Sequence, residues 1–457
     1  MSSSERNKKK KWSRVKMILT VDACLAIVLA GVIGYSQASS YLRTQAKENA
    51  AIQVAEAAAA QEAAEKAEAA ESARQAIEDG EAAAIAAERE EAERIAAEQA
   101  EAKRLEEELA EAAEPAEAEV TVHLTMAGDV LLSSLLVTNS ETDYGYDFTH
   151  LFENTAPYLA EYDLKIVNEE TACGGGEYGI TGYPSFNSPH EAQDAIAAAG
   201  FNVVCLATNH MLDLGTGPLY STIEYWNNMY PSMALIGAYG SQEASDQIYY
   251  YEKDGFRIAI LNYTYGSNAG SGEYYDAPFC LNMLYEDEVR ADIQNAKANS
   301  DYVIVCPHWG TEFNFSYDEE QSKWAQIFLQ EGVDLVLGTH PHVIEPIELF
   351  TREDGHQMIC YYSLGNFVSN QDPAYALVGG LADVSLRKTA DGVVVDDYGI
   401  IPIVTHKSWY YSAYLLKDYT QELADSSIGP LVDPEFSYQY CVDLAVSMYG
   451  DRLRMFR

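Results

Sequence analysis

The run "VDLVLGTHPHVIEPIE", Val333 to Glu348, decides how the chain is read. Leu335 to Leu337 form an apolar triplet that reads as a buried strand, and Gly338 ends it. Two histidines, His340 and His342, then flank Pro341 in the loop that follows. Proline stiffens the backbone between them, so alternate side chains can address one site. In an α/β domain, side chains at the carboxyl ends of neighbouring strands converge on one crevice, which is where such folds place their chemistry.

Other strand ends carry the same kind of side chain. From Val120 onward, β-rich runs alternate with helical ones. The pattern predicts strands at Val120 to Met126, Leu164 to Val167, Val203 to Leu206, Ile258 to Asn262, Tyr302 to Cys306, Leu335 to Leu337 and Met358 to Ser363. It predicts helices at Glu191 to Ala199, Leu219 to Asn228, Asp287 to Ala298 and Glu319 to Gln330. Such alternation means an α/β domain, here 119–457, with the short apolar runs after Asp372 read as added strands. The first strand runs into "MAGDVLLS" with Asp129, and the next into "VNEET" with Asn168, Glu169 and Glu170. The third leads to "LATNHMLDLG" with Asn209, His210 and Asp213, and a later one to "CPHWGTEF" with His308 and Glu312. Four of the nine histidines lie at these ends. Carboxylates, a side-chain amide and imidazoles together suit two divalent cations with a carboxylate between them. Singly, each residue has a plainer reading: Asp129 in a turn, Asn209-His210 capping a helix, His308 as a core imidazole. The combination favours the metal reading.

Composition limits the partners. The chain has 457 residues, 48% of them hydrophobic, which is enough for one large or two modest cores. A net charge of -42 repels a nucleic-acid backbone, so DNA and RNA are set aside as partners. The charge is uneven. Residues 1–40 hold seven Lys/Arg against Glu5 and Asp22, whereas residues 41–120 hold 8 basic and 22 acidic groups.

That unevenness marks the N-terminal segments. A basic tail, 1–16, ends in "KKKKWSRVK" and precedes "MILTVDACLAIVLAGVIGY", Met17 to Tyr35. At about 1.5 Å per residue this run approaches a bilayer's hydrocarbon thickness, and the basic cluster predicts a cytoplasmic N-terminus with the remainder outside the cell. Ser36-Gln37-Ala38 leaves a cleaved signal peptide as the alternative, and both readings export the C-terminal bulk. Residues 36–118 are rich in alanine and glutamate and read as a solvated helical stalk. Its large apolar residues keep no seven-residue spacing, so a stable coiled coil is not predicted. Of seven cysteines, Cys205, Cys306 and Cys360 fall in predicted strands as small buried apolar groups. Pairing among the six external cysteines is left open, and no CxxC suggests a zinc site.

In order along the chain, Gly128-Asp129, Asn168 to Glu170, Asn209-His210 with Asp213, His308-Trp309-Gly310 with Glu312, Gly338 to His342 and "SLGNF", Ser363 to Phe367, resemble the CapA family of bacterial capsule-synthesis (polyglutamate capsule) proteins. That family is related to the calcineurin-like metallophosphoesterases, which implies a four-layer α/β/β/α sandwich. The resemblance implies divalent metal ions, two of them, as Mn, Zn or Fe. Asp129 and His342 would hold the first, Asn209, His308 and His340 the second, and Glu170, rather than Glu169, would bridge them. His210 would be a proton donor oriented by Asp213. One departure stands out: Leu131 occupies a position where the wider superfamily has a histidine. The implied partners are the bacterial membrane, a cell-wall or capsule polymer and other capsule-synthesis membrane proteins. Two functions follow: a surface metal-dependent hydrolase or transferase, or a non-catalytic anchored component of capsule assembly or export.

Overall fold

Strand periodicity explains the architecture. In Val120–Val130 the side chains of Val122, Leu124 and Met126 join one apolar cluster and Ala127 and Val130 another. Both faces of the strand are therefore buried, as the near-continuous apolar runs of a covered sheet require. The computed structural model describes residues 119–268 and 277–455, with Arg94, Glu101, Lys103 and Arg104 of the N-terminal region. The expected basic tail and membrane span lie outside the described residues, as does all but those four of the expected stalk. No helix among the described residues is long and apolar enough to cross a membrane.

In chain order, the main strands are β1 (Val120–Val130), β2 (Leu164–Glu169), β3 (Val203–Cys205), β4 (Ala234–Ile236), β5 (Tyr249–Lys253), β6 (Phe256–Thr264) and β7 (Tyr302–His308). They continue with β8 (Leu335–Leu337), β9 (Ile347–Thr351), β10 (Gln357–Tyr361), β11 (Asn366–Val368), β12 (Val378–Thr389), β13 (Gly392–His406) and β14 (Ser412–Leu415). One sheet has the order β14-β13-β12-β1-β2-β3-β4, with β11 also pairing β1; the other runs β9-β10-β8-β7-β6-β5. The main helices are α1 (Glu191–Ala199), α2 (Thr216–Met229), α3 (Glu286–Ala298), α4 (Glu319–Glu331) and α5 (Tyr438–Tyr449).

Three apolar clusters order the layers. Between the sheets, Leu124, Ile166 and Val203 pack with Ile258, Ile304 and Leu337. On the far side of the first sheet, Val167 and Val204 meet Ile196 of α1 and Trp226 of α2. Beyond the second, Val303 and Val305 meet Ile293 of α3 and Phe328 of α4. The layers thus run helix, sheet, sheet, helix. Each fully buried aliphatic side chain stabilises this arrangement by about 1.5–3 kcal/mol. α4 starts at a capping box formed by Asp318 and Gln321 and stops at Gly332, whose φ of 86° is left-handed.

The tail differs from expectation. β12 to β14 extend the first sheet as predicted, but α5 was not foreseen, and its Cys441, Ala445 and Tyr449 pack into the inter-sheet cluster. All six described cysteines are buried and free.

Candidate metal centre

Parallel pairing brings the ligand-type side chains level. Asp129 on β1 is in register with Asn168 on β2 and Asn366 on β11, and Thr264 on β6 with His308 on β7. Isolated bridges add Thr171 to His210 and His308 to Thr339. Asp129, Glu170, Asn209, His210, His308, His340 and His342 therefore collect at the carboxyl ends of both sheets, all buried.

Two groups form. Ligand atoms of Glu170, His308 and His340 lie within 4.8 Å of one another, and so do those of Asp129, Glu170 and His342. Glu170 belongs to both, its Oε1 3.7 Å from His308 Nε2 and 3.6 Å from His342 Nε2. Asn209 joins the first group, its Oδ1 2.8 Å from His308 Nε2. The glutamate choice is resolved by direction: Glu169 instead accepts a 2.8 Å hydrogen bond from Trp226 Nε1 on α2.

The supporting bonds aim these groups. Asn168 Nδ2 donates to Asp129 Oδ1 at 2.8 Å. His308 Nδ1 faces Thr339 Oγ1 at 3.0 Å, so donation there leaves Nε2 as the free lone pair. Asn366 Oδ1 lies 3.0 Å from His342 Nδ1, which likewise points Nε2 at Glu170. Asn366 is itself held, its Nδ2 donating to Ala376 O at 2.9 Å and Gln371 Oε1 at 2.8 Å. His340 and His342 both adopt positive φ, 98° and 60°. Non-glycine residues resist that region by roughly 1–2 kcal/mol each, a strain that sits where two imidazoles must face one place from either side of Pro341.

The site suits cations. Both Glu170 oxygens and His340 Nδ1 are buried with no hydrogen-bond partner, a costly state unless something positive meets them. Burial, then neighbouring imidazoles, hold His308 and His340 well below the ordinary histidine pKa, keeping their lone pairs free. Burial pushes Glu170 well above the carboxylate range. Burial opposes protonation of His342, but Glu170 and Asp129 outweigh it and raise that imidazole to about 9. Carboxylate, amide and imidazole donors match a divalent transition metal such as Mn, Zn or Fe.

His210 stands beside these groups. Its Nδ1–H donates to Asp213 Oδ2 at 2.7 Å, and Asp213 Oδ2 also accepts from Phe186 N at 2.9 Å. Leu131 is buried, and its backbone N–H donates to Val368 O at 3.0 Å. Glu312 is exposed at the rim.

Residues 123–371 match the family model described as bacterial capsule synthesis protein PGA_cap. The chain belongs to this family. It is similar to the capsule biosynthesis protein CapA of Bacillus anthracis, 28% identical over 286 residues that cover 59% of this chain and 65% of the relative. It is also similar to the PGA biosynthesis protein CapA of Bacillus subtilis (strain 168), 29% identical over 219 residues, 48% of this chain and 54% of that one. The chain thus spans less than two thirds of either relative's length. Among solved structures, the calcineurin-like phosphoesterase YfkN from Bacillus subtilis aligns over 62% of this chain and 90% of its own, with 14% identity and a TM-score of 0.38.

In this PGA_cap chain, sequence reasoning missed the tasks of Thr339 and Asn366. Both are polar residues at strand ends, but only their spatial pairing with an imidazole reveals them.

Proposed function

We propose that this chain is a membrane-anchored, extracellular metal-dependent hydrolase or transferase that acts on a phosphoester or amide in a capsule or wall polymer. The observation that carries the reading is Glu170, one buried carboxylate with unpartnered oxygens shared by two groups of ligand atoms. Asp129 and His342 would hold a cation on one side, and Asn209, His308 and His340 one on the other, with Glu170 common to both. Bound divalent cations supply positive charge against the attacked group and acidify water at neutral pH. Asp213 fixes His210 with its proton on Nδ1, so Nε2 is the atom that exchanges a proton with the leaving group. Asn168 and Asn366 keep Asp129 and His342 aimed while this happens. The anchor and the outside location rest on the basic 1–16 tail and the apolar 17–35 run.

Leu131 favours a second reading, a non-catalytic component of capsule assembly or export that works with other membrane proteins. A buried leucine beside Asp129 brings no nitrogen to that side of the site. The test uses the full chain in mild detergent, reconstituted with Mn²⁺, and measures metal content and hydrolysis of an aryl phosphate, a phosphodiester and a glutamyl amide. Turnover that His210→Ala abolishes supports the enzyme. Bound metal without turnover on any of the three supports the second reading.

A further inference from the structure

Resting on the reading of this site as one that acts on a polymer, we propose that the units beside the reacting bond are uncharged sugar rings rather than a repeating anionic chain. Three of the four histidines, His210, His340 and His342, keep slight solvent exposure at 5%, 3% and 2%, and each has an aromatic ring against it. Phe186 stands edge-on to His210 with ring centroids 4.7 Å apart, and Tyr183, 86% exposed, lies beyond it. Tyr265, half exposed, is 4.6 Å from His340. Phe313 is 6.0 Å from His342 and packs on Tyr375, which also meets Phe315.

Phe313 is the informative member. It is exposed, and its φ of 62° is one that a bulky side chain seldom adopts. Its N–H donates to Pro341 O at 2.8 Å, tying it to the loop that carries His340 and His342. A strained, exposed phenylalanine gains little from packing, and such strain clusters at ligand-binding positions. Aromatic faces at a polar site bind flat, weakly polar rings, and a pyranose presents such a face with no charge.

Charge selects among polymers. The acidic groups acting on Glu170 are Asp129, Glu312 and Asp213, and those acting on Tyr265 are Glu312 and Glu170. Neither lysine nor arginine is among these influences. Bound cations would meet a negative reacting group, but carboxylates repeated along a flanking chain would face Glu312 and Asp213 without a counter-charge. Neutral sugars avoid that repulsion.

The test is calorimetric titration of the full chain in mild detergent, with and without Mn²⁺, using an N-acetylglucosamine hexamer and a poly-γ-glutamate of similar length. Variants are Tyr265→Ala and Phe313→Gly; glycine accepts the positive φ, so the second removes the ring without a folding cost. The expected result is saturable hexamer binding, weakened roughly 2- to 12-fold by each substitution, and weaker binding of polyglutamate. Polyglutamate binding at least as tightly, no hexamer binding, or hexamer binding that neither substitution changes would overturn the proposal. Metal content and turnover on the same samples separate the two readings. Hexamer binding by an inactive sample supports this inference while the enzyme reading fails, and an active sample that refuses the hexamer overturns this inference alone.

Discussion

Gly128→Ala is expected to destabilise the domain, against the usual sign for that exchange. Alanine in place of a strand glycine ordinarily stabilises by roughly 0.5–1 kcal/mol, because glycine loses more freedom on folding. Here a Cβ on residue 128 would lie 1.9 Å from Gly365 O and 3.0 Å from Gly365 C, both backbone atoms. Ordinary contact begins at 3.4 Å, so β1 and the segment before β11 must part by about 1.5 Å. That movement breaks the 3.0 Å bond from Asp129 N to Gly365 O. Overpacking at about 1–3 kcal/mol plus a lost hydrogen bond at about 1 kcal/mol predicts a net loss of roughly 2–4 kcal/mol. Asp129 moves with its backbone, so metal affinity should fall as well. The assay is urea unfolding of the full chain followed by tryptophan fluorescence, since Trp226 and Trp309 are fully buried. An unfolding midpoint equal to or above that of the parent, with unchanged Mn²⁺ affinity, would refute the close approach as the device that places Asp129.

Further outcomes follow from other contacts. Glu170→Gln should abolish binding at both ligand groups, whereas Glu169→Gln, whose partner is Trp226, should retain metal; equilibrium dialysis against Mn²⁺ distinguishes them. Asn366→Ala should weaken metal binding roughly 10- to 100-fold by freeing the His342 ring, and unchanged affinity would remove Asn366 from the account. Glu345, buried beside Gln321, is pushed by that burial from 4.5 up to about 8. The folded state therefore holds a proton there that the unfolded chain releases, so this contribution is complete below pH 4.5 and fades as pH rises to about 8. The slope is about 1.4 kcal/mol per pH unit, and Glu345→Gln should flatten it; an unchanged profile of unfolding midpoint against pH would contradict the assignment.

Much of this was legible in the residues, for a physical reason. Strands buried on both faces, such as β1, β6 and β7, announce themselves as apolar runs, and α1 was read at its observed limits. Short or edge strands left no such mark: Ala234–Ile236 has three residues, and Tyr249–Lys253 is half exposed at the sheet's edge. β1 runs four residues past its predicted end because Ala127 to Val130 still pair with neighbours on both sides. Around the site, residue type and strand-end position pointed to Asp129, Glu170, Asn209, His308, His340 and His342. Side-chain direction was not legible. Glu169 and Glu170 are adjacent, and only the opposite facing of successive side chains sends one to Trp226 and the other to the imidazoles. The positive φ of His340 and His342 was also invisible, because neither is glycine.

The most direct test is a crystal of the Mn²⁺-soaked protein measured at an energy where manganese scatters anomalously. The account predicts two peaks, one within ligand distance of Asp129, Glu170 and His342 and the other of Glu170, Asn209, His308 and His340. No peak at these residues, or peaks that leave Glu170 uncoordinated, would contradict it.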